Sequence, residues 1–426
     1  MKIRLKKGRQ NLDFDIPEHK ILGIITGNSV QALDCDTIKQ ILSQGIRHHS
    51  PHDIAGFDTA VIIPDHTRLW ARGDIFVPVI VKTLLNLGVT EKKIRIIIAL
   101  GTHDPVKQAE FPKLAGSFCA DRIKIINSAN KDRSRLVYFG TTHRNTPVHI
   151  TREAAEADHI IIFGGILHHM AAGFAGARKY IMPGIAGYES ICCNHSLAMD
   201  RDGSAHPFVC QARLEGNPVH EDMTEAADMF LKDRTCTYAA IAADGTGEIF
   251  YAKAGPLKET FEQGCRKLDD ACTVKVDRKA DFVIVSAGGH RTDEYLYQAV
   301  KALFNAAGIV KKGGRIIFVA GCSRGVGNTV FGSTLAEFKD NPYALGRQLS
   351  ENFIMPAYVG FRIIDLLKKF RITLVSDLSR QDTQSLGFLY TKDPESCIRT
   401  LEGSGYIIPF GENILPLVKE QENIQA

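Results

Sequence analysis

Four short stretches hold side chains able to bind anions, move protons or ligate a metal: Asp65-His66-Thr67-Arg68, Gly101-Thr102-His103, the run from His168 to Lys179, and Asn194-His195. Arg68 offers a fork that can grip a carboxylate by two parallel hydrogen bonds. Asp65 is suited to orient a histidine or a ribose, or simply to cap a helix. An imidazole such as His103 gives or takes a proton near neutrality, although a histidine capping a turn is an equally ordinary reading. In the run 168–179, small residues at 171–173 and 175–177 would let the backbone approach a bulky ligand. The pair Arg178-Lys179 that follows suits a phosphate or other anion at a strand-to-helix turn. The plainer alternative is a tightly packed helix start with a solvated basic end. His195 has no histidine four residues away, and protein-only zinc sites use three or four ligands. A solitary histidine makes sense as a ligand mainly where a cofactor supplies the other donors, which favours nickel or a similar late transition metal.

Elements able to position these groups can be read from the hydrophobic pattern. Short β-branched runs at 59–64, 94–100, 122–126, 159–163, 281–286, 315–320 and 372–376 have the character of buried parallel strands. Amphipathic stretches of helical length, such as 74–87 and 293–307, lie between some of them. Alternating strands and helices predict α/β layers, in which ligands sit outside the carboxyl ends of the strands. Residues 65–68, 101–103, 164–179 and 288–291 each follow such a strand, so four strand ends feed polar loops toward one cleft. Between 256 and 279 the chain turns charged, which predicts a connecting helix or linker. The expected fold is therefore two α/β domains with mainly parallel sheets flanked by helices. Residues 1–270 would carry the candidate lysine and histidine, and residues 271–426 would close the site.

Composition narrows the function classes. Hydrophobic content of 44%, charged content of 23% and a net charge of +4 fit a soluble globular protein and argue against a nucleic-acid binder. No secretory signal or membrane-spanning run is evident, and ten scattered cysteines without a Cys-x-x-Cys pair fit a reducing cytoplasm. Gly325-Val326-Gly327 follows a strand but lacks the third glycine of a dinucleotide loop. Phosphate-loop and nucleophile-elbow patterns are absent from the sequence.

Taken in order and spacing, the four stretches together with Tyr297-Gln298-Ala299-Val300-Lys301 resemble the nickel-dependent lactate racemase family. The resemblance implies an isomerase that inverts C2 of a 2-hydroxyacid. The hydrogen leaves as a hydride, a transient 2-keto acid forms, and a nickel-pincer nucleotide serves as cofactor. It implies that Lys179 tethers the cofactor and His195 ligates the nickel. Asp65, His66, Thr67, Arg68, Gln298 and Lys301 would contact the cofactor. Arg68, Tyr297, Gln298 and Lys301 would contact substrate. His103 and His169 would be the acid–base pair, one for each enantiomer, with the adjacent His168 structural. Enzymes that build the cofactor are implied partners, alongside the small-molecule substrate, with neither nucleic acid nor membrane. Leu69-Trp70 follow Arg68 where many members carry proline, Ala175-Gly176-Ala177 replaces a common Ser-Gly-Gly, and Gly289-His290-Arg291 replaces a proline-lysine pattern. These departures predict an intact metal centre with an altered substrate pocket, and offer Arg291 as a cation for a second carboxylate or a sugar-acid chain. A nicotinamide-dependent 2-hydroxyacid dehydrogenase is the first rival and predicts a complete glycine loop. A non-catalytic nucleotide or anion binder is the second, and a zinc hydrolase the third.

Overall fold

A computed structural model describes residues 1–419. Two six-stranded sheets organise them. The first runs, in spatial order, Ile249–Pro256, Thr235–Ala243, His159–Gly165, Thr59–Pro64, Ile94–Ala99 and Lys124–Asn127. It is parallel except for its edge strand Ile249–Pro256. The second runs Leu389–Tyr390, Arg371–Val375, Val310–Val319, Ala280–Ser286, Gly405–Ile408 and Ile21–Ile24, all parallel. All six residues of Thr59–Pro64 and all seven of His159–Gly165 are buried, as expected of strands covered on both faces by helices. Each buried isoleucine there contributes roughly 1.5–3 kcal/mol of transfer free energy.

The α/β architecture is as the sequence predicts, with two local differences. Residues 293–307 do not form one helix but three short ones, His290–Asp293, Leu296–Ala299 and Lys301–Ala306. Tyr295 is extended, and the Leu296 and Tyr297 amides donate to the carbonyls of Gly325 and Val326, which interrupts the helical ladder. The glycines of the weak dinucleotide pattern thus serve the chain's own backbone. Of the two forms expected for the charged stretch near 256–279 the helix is the one found, Leu257–Cys272, which buries Phe261, Cys265 and Leu268. It is followed by a short strand, Thr273–Val276, paired with Leu415–Val418.

The second difference concerns the division at 270/271. Ile21–Ile24 pairs with Gly405–Ile408, so the start of the chain belongs to the second sheet and not to a contiguous first domain. Ahead of it the hairpin of Lys2–Lys7 and Gln10–Asp15 packs Ile3, Leu5 and Phe14 against Phe282, Ile317 and Val319 of that sheet. Its turn is pinned where Gly8 N donates to the fully buried Asp293 at 2.8 Å, beside Gly321 N at 2.7 Å. Two needs meet here: apolar side chains of hairpin and sheet cover one another, and the buried carboxylate takes one of its two donors from the hairpin turn.

Candidate active site

The parallel register of Thr59–Pro64 with Ile94–Ala99 brings the loops after both strands side by side. Asp65 caps the 3-10 turn His66–Ala71 by accepting from Thr67 N and Thr67 Oγ1, at 3.1 and 2.6 Å. Its other oxygen lies 2.5 Å from His103 Nδ1. Burial alone would raise the Asp65 carboxyl, but His103, Thr67 and Arg68 outweigh it and hold it at about 2. An ionised Asp65 requires Nδ1–H on His103, which leaves the Nε2 lone pair available as a base.

His169 is prepared in the opposite sense. The run 168–179 is not a helix start: Leu167–His169 pairs antiparallel with Gly173–Ala175 as a tight hairpin. Its turn aims the amides of Ala171 and Ala172 at His169 Nδ1, at 3.2 and 3.1 Å. With Nδ1 accepting, the ring proton sits on Nε2. Burial, and then the charges of Lys179, His195, Arg68 and Lys301, push its pKa well below 6.5, so the ring is neutral.

The two glycines of this run make room for the protein itself, while Ala175 and Gly176 also line the cavity. A Cβ on Gly173 would lie 2.0 Å from the Arg213 carbonyl, and one on Gly176 would lie 2.7 Å from the Tyr238 hydroxyl. Arg178 is likewise no anion site. It is 3% exposed, donates to the carbonyls of Ala172 and Phe174 and to His220 Nδ1, and stacks on Phe261 at 4.3 Å. It ties hairpin to helix, and Lys179 alone faces the cavity. Burial, helped by Arg68, Arg178 and Lys301, pulls the Lys179 ammonium down to about 7, so a large share of the amine is neutral and nucleophilic.

His195 sits in the last turn of Tyr188–Ser196, 4% exposed, with Nδ1 donating to the Ile191 carbonyl at 3.0 Å. That bond fixes the tautomer and leaves Nε2 as a donor atom. Burial, with Lys179 adding to it, lowers its pKa to about 3. The helix is held from behind by Asn194, whose amide donates to the fully buried Asp222 at 2.9 Å. Thr142 and Thr146 donate to the same carboxylate at 2.5 and 2.8 Å.

The second sheet supplies the opposite wall. Lys301 Nζ donates to Gln298 Oε1 at 2.6 Å and to Glu412 Oε1 at 3.2 Å. Burial lowers its pKa, Glu412 opposes, and Arg68 adds to the lowering. Gln211 Nε2 donates to Asn305 Oδ1 at 3.0 Å, joining the two units across the cleft. One cavity of about 210 Å³ is thereby lined by Asp65, Thr67, Arg68, His103, His169, Lys179, His195, Tyr297, Gln298 and Lys301.

Of the cofactor, substrate and acid–base residues that the resemblance implied, His66 alone stays out of this lining, and it is exposed. Arg291 is exposed too and lies over Gly247, outside the cavity, so it offers no second cation to a substrate. His168 lines the cavity but pairs with Asp269 at 2.8 Å. Glu412, Asn305 and Tyr180 were not anticipated. Glu412 follows a four-residue strand too short to read, whereas Tyr180 had a cue in the paired glycines Gly164-Gly165.

Two sequence profiles fit the chain: the lactate racemase N-terminal domain over residues 7–206 and the lactate racemase C-terminal domain over residues 275–401. The lactate racemase of Lactiplantibacillus plantarum is 32% identical over 311 residues, covering 72% of this chain and 70% of the relative. The chain belongs to the lactate racemase family. A lactate racemase from Thermoanaerobacterium thermosaccharolyticum is 30% identical over 354 residues, covering 82% of this chain and 81% of its own. The apoprotein structure of the lactate racemase from that organism superposes with a TM-score of 0.85 at 25% identity, covering 98% of this chain and all of that one. A Thermotoga maritima protein of 18% identity and TM-score 0.69, covering 92% of this chain and 100% of its own, shares the fold. Lactate racemase family membership accounts for the order of the site stretches along both units.

Proposed function

We propose that the protein is a racemase or epimerase of 2-hydroxyacids that works with a nickel-pincer nucleotide tethered at Lys179. The observation that carries this reading is the pairing of His195 with Lys179 in one cavity. A buried imidazole with Nδ1 committed to the Ile191 carbonyl offers one metal-binding nitrogen, and a buried amine of lowered pKa offers a nucleophile beside it. Among the described residues no group of three or more histidine, cysteine, aspartate or glutamate side chains could hold a metal unaided. One protein ligand fits a metal whose remaining donors arrive with a cofactor. When bound, that group would accept and return the C2 hydrogen with its electron pair.

The chain's own residues would do the rest. Arg68 has its guanidinium hydrogen-bonded only through Nη1, to Thr67, among the described residues, which leaves it able to clamp a carboxylate. His103 Nε2 is set to take the hydroxyl proton from one enantiomer. His169 Nε2–H faces the same cavity from another loop and serves the oxygen of the opposite hand. Lys301, steadied by Gln298 and Glu412, would polarise that oxygen as charge moves onto it. Closure of the two units around the cavity excludes water from a reactive intermediate.

The test is intact mass and metal analysis of protein co-produced with cofactor-building enzymes and nickel. A covalent adduct mapping to Lys179, with about one nickel per chain lost in His195→Ala, is the expected result. Protein that takes up neither under conditions that load a known lactate racemase would falsify the reading.

A further inference from the structure

The carboxyl end of His159–Gly165 is built around two rings. A Cβ at Gly165 would lie 2.1 Å from the Trp70 ring, and a Cβ at Gly164 would lie 2.1 Å from the Tyr180 hydroxyl. Gly164 thus seats Tyr180, the neighbour of Lys179 in the chain, and Gly165 seats Trp70 at the same strand end. Tyr180 is 9% exposed and lines the cavity. Its hydroxyl accepts the Gly165 N–H at 3.1 Å, and no acceptor for its own proton is present among the described residues. Leaving a buried donor unmatched is costly, so this geometry leaves the hydroxyl one remaining task, to donate into the cavity.

What it would meet there follows from its neighbours. Burial raises the phenol to about 12, so the hydroxyl keeps its proton, and Arg68 and Asp65 line the same cavity. Asp65 in turn holds His103. An anion held by Arg68 and Tyr180 would therefore share the cavity with the His103 base. A carboxylate attached directly to the carbon bearing a hydroxyl needs that arrangement.

We propose that Tyr180 is a substrate-binding residue that, with Arg68, forms a two-sided cradle for the substrate carboxylate. The assignment rests on the 2-hydroxyacid reading above. Arg68 supplies the charge, while the hydroxyl supplies a directed donor on the other side and so selects the rotation that presents the C2 hydroxyl to His103.

The experiment is Tyr180→Phe in the loaded holoenzyme, followed by racemisation kinetics and by calorimetric binding of pyruvate. Loss of a hydrogen bond to a charged group predicts a rise of about 10- to 100-fold in KM, with the loss concentrated in KM rather than kcat. Pyruvate affinity should fall by a similar factor, while nickel content and the Lys179 adduct stay at wild-type levels. Unchanged KM and pyruvate affinity overturn the proposal. So does a variant whose only change is poorer nickel loading, since Tyr180 would then serve the cofactor. If Tyr180→Phe fails to fold, 3-fluorotyrosine at position 180 keeps ring and hydroxyl but strengthens the donor. KM should then fall, and an unmoved KM sinks the idea. If wild-type holoenzyme racemises no 2-hydroxyacid, the functional reading fails instead, and pyruvate binding still reports on the cradle.

Discussion

His103 and His169 carry the same ring with different supports, and the supports decide what each can do. An ionised carboxylate behind His103 fixes a free lone pair at Nε2, whereas two backbone amides behind His169 fix a proton there. Removing the charge at Asp65 while keeping its shape isolates this effect. Asp65→Asn should lower kcat by about 10²–10⁴-fold, the range expected for losing a properly held general base, with nickel loading unchanged. Steady-state kinetics on protein with confirmed metal content would check it, and a loss under threefold would remove Asp65 from the proton pathway. The residue types were legible from sequence because histidine, arginine and lysine followed strand ends. Their states were not. The amides that set His169 belong to a hairpin read as a helix start, and the glycines read as ligand room are filled by the Arg213 carbonyl and the Tyr238 hydroxyl. Sequence records that space is needed at a position but not which atom takes it.

Among elements, the strands richest in isoleucine and valine declared themselves, since burial on both faces demands such runs. Thr235–Ala243 did not, because Thr-Cys-Thr-Tyr-Ala-Ala-Ile-Ala-Ala depends on alanine to fit between its neighbours and carries little β-branched signal. The break in 293–307 was equally hidden, being imposed by the distant carbonyls of Gly325 and Val326. The helix Tyr188–Ser196 shows how an element acts on chemistry. Asp222 gathers donors from Thr142, Thr146 and Asn194, and so fixes the helix that carries His195. Asp222→Ala would strand three buried donors at once. We expect a loss of about 2–4 kcal/mol in unfolding free energy, read by urea titration, together with reduced nickel occupancy. Full nickel occupancy and wild-type stability in that variant would show that the helix is held by packing alone.

For the whole molecule, buried neutral histidines set the acid limit. Burial lowers His159 to about 4; burial lowers His195 and His220 to about 3, aided by Lys179 and Arg178 respectively. Each lies below the ordinary 6.5, so the unfolded chain binds these protons first. The stability they provide is complete above about pH 6.5 and drains away as pH falls toward 3–4. Asp65, at about 2 against 3.8, adds its own loss only below about pH 4. The urea midpoint should therefore begin to fall near pH 6.5, well before carboxylates titrate. Replacing His159, which lies away from the cavity, with glutamine should make that slope shallower. A midpoint flat down to pH 5 would contradict this account.

The pairing of Ile21–Ile24 with Gly405–Ile408, and the seat of Gly8 on Asp293, join segments hundreds of residues apart in the chain. On the ribosome the strand Ile21–Ile24 must wait for its partner until almost four hundred further residues have emerged. The helices bearing Tyr297, Gln298 and Lys301 rest on that late closure, so the wall they form is among the last parts of the molecule to set. Lys179 and His195, made earlier on the other unit, stand ready before their cavity has its far side. If the proposed function holds, a cofactor could reach the lysine in that interval, before Gly405–Ile408 takes its place beside Ile21–Ile24.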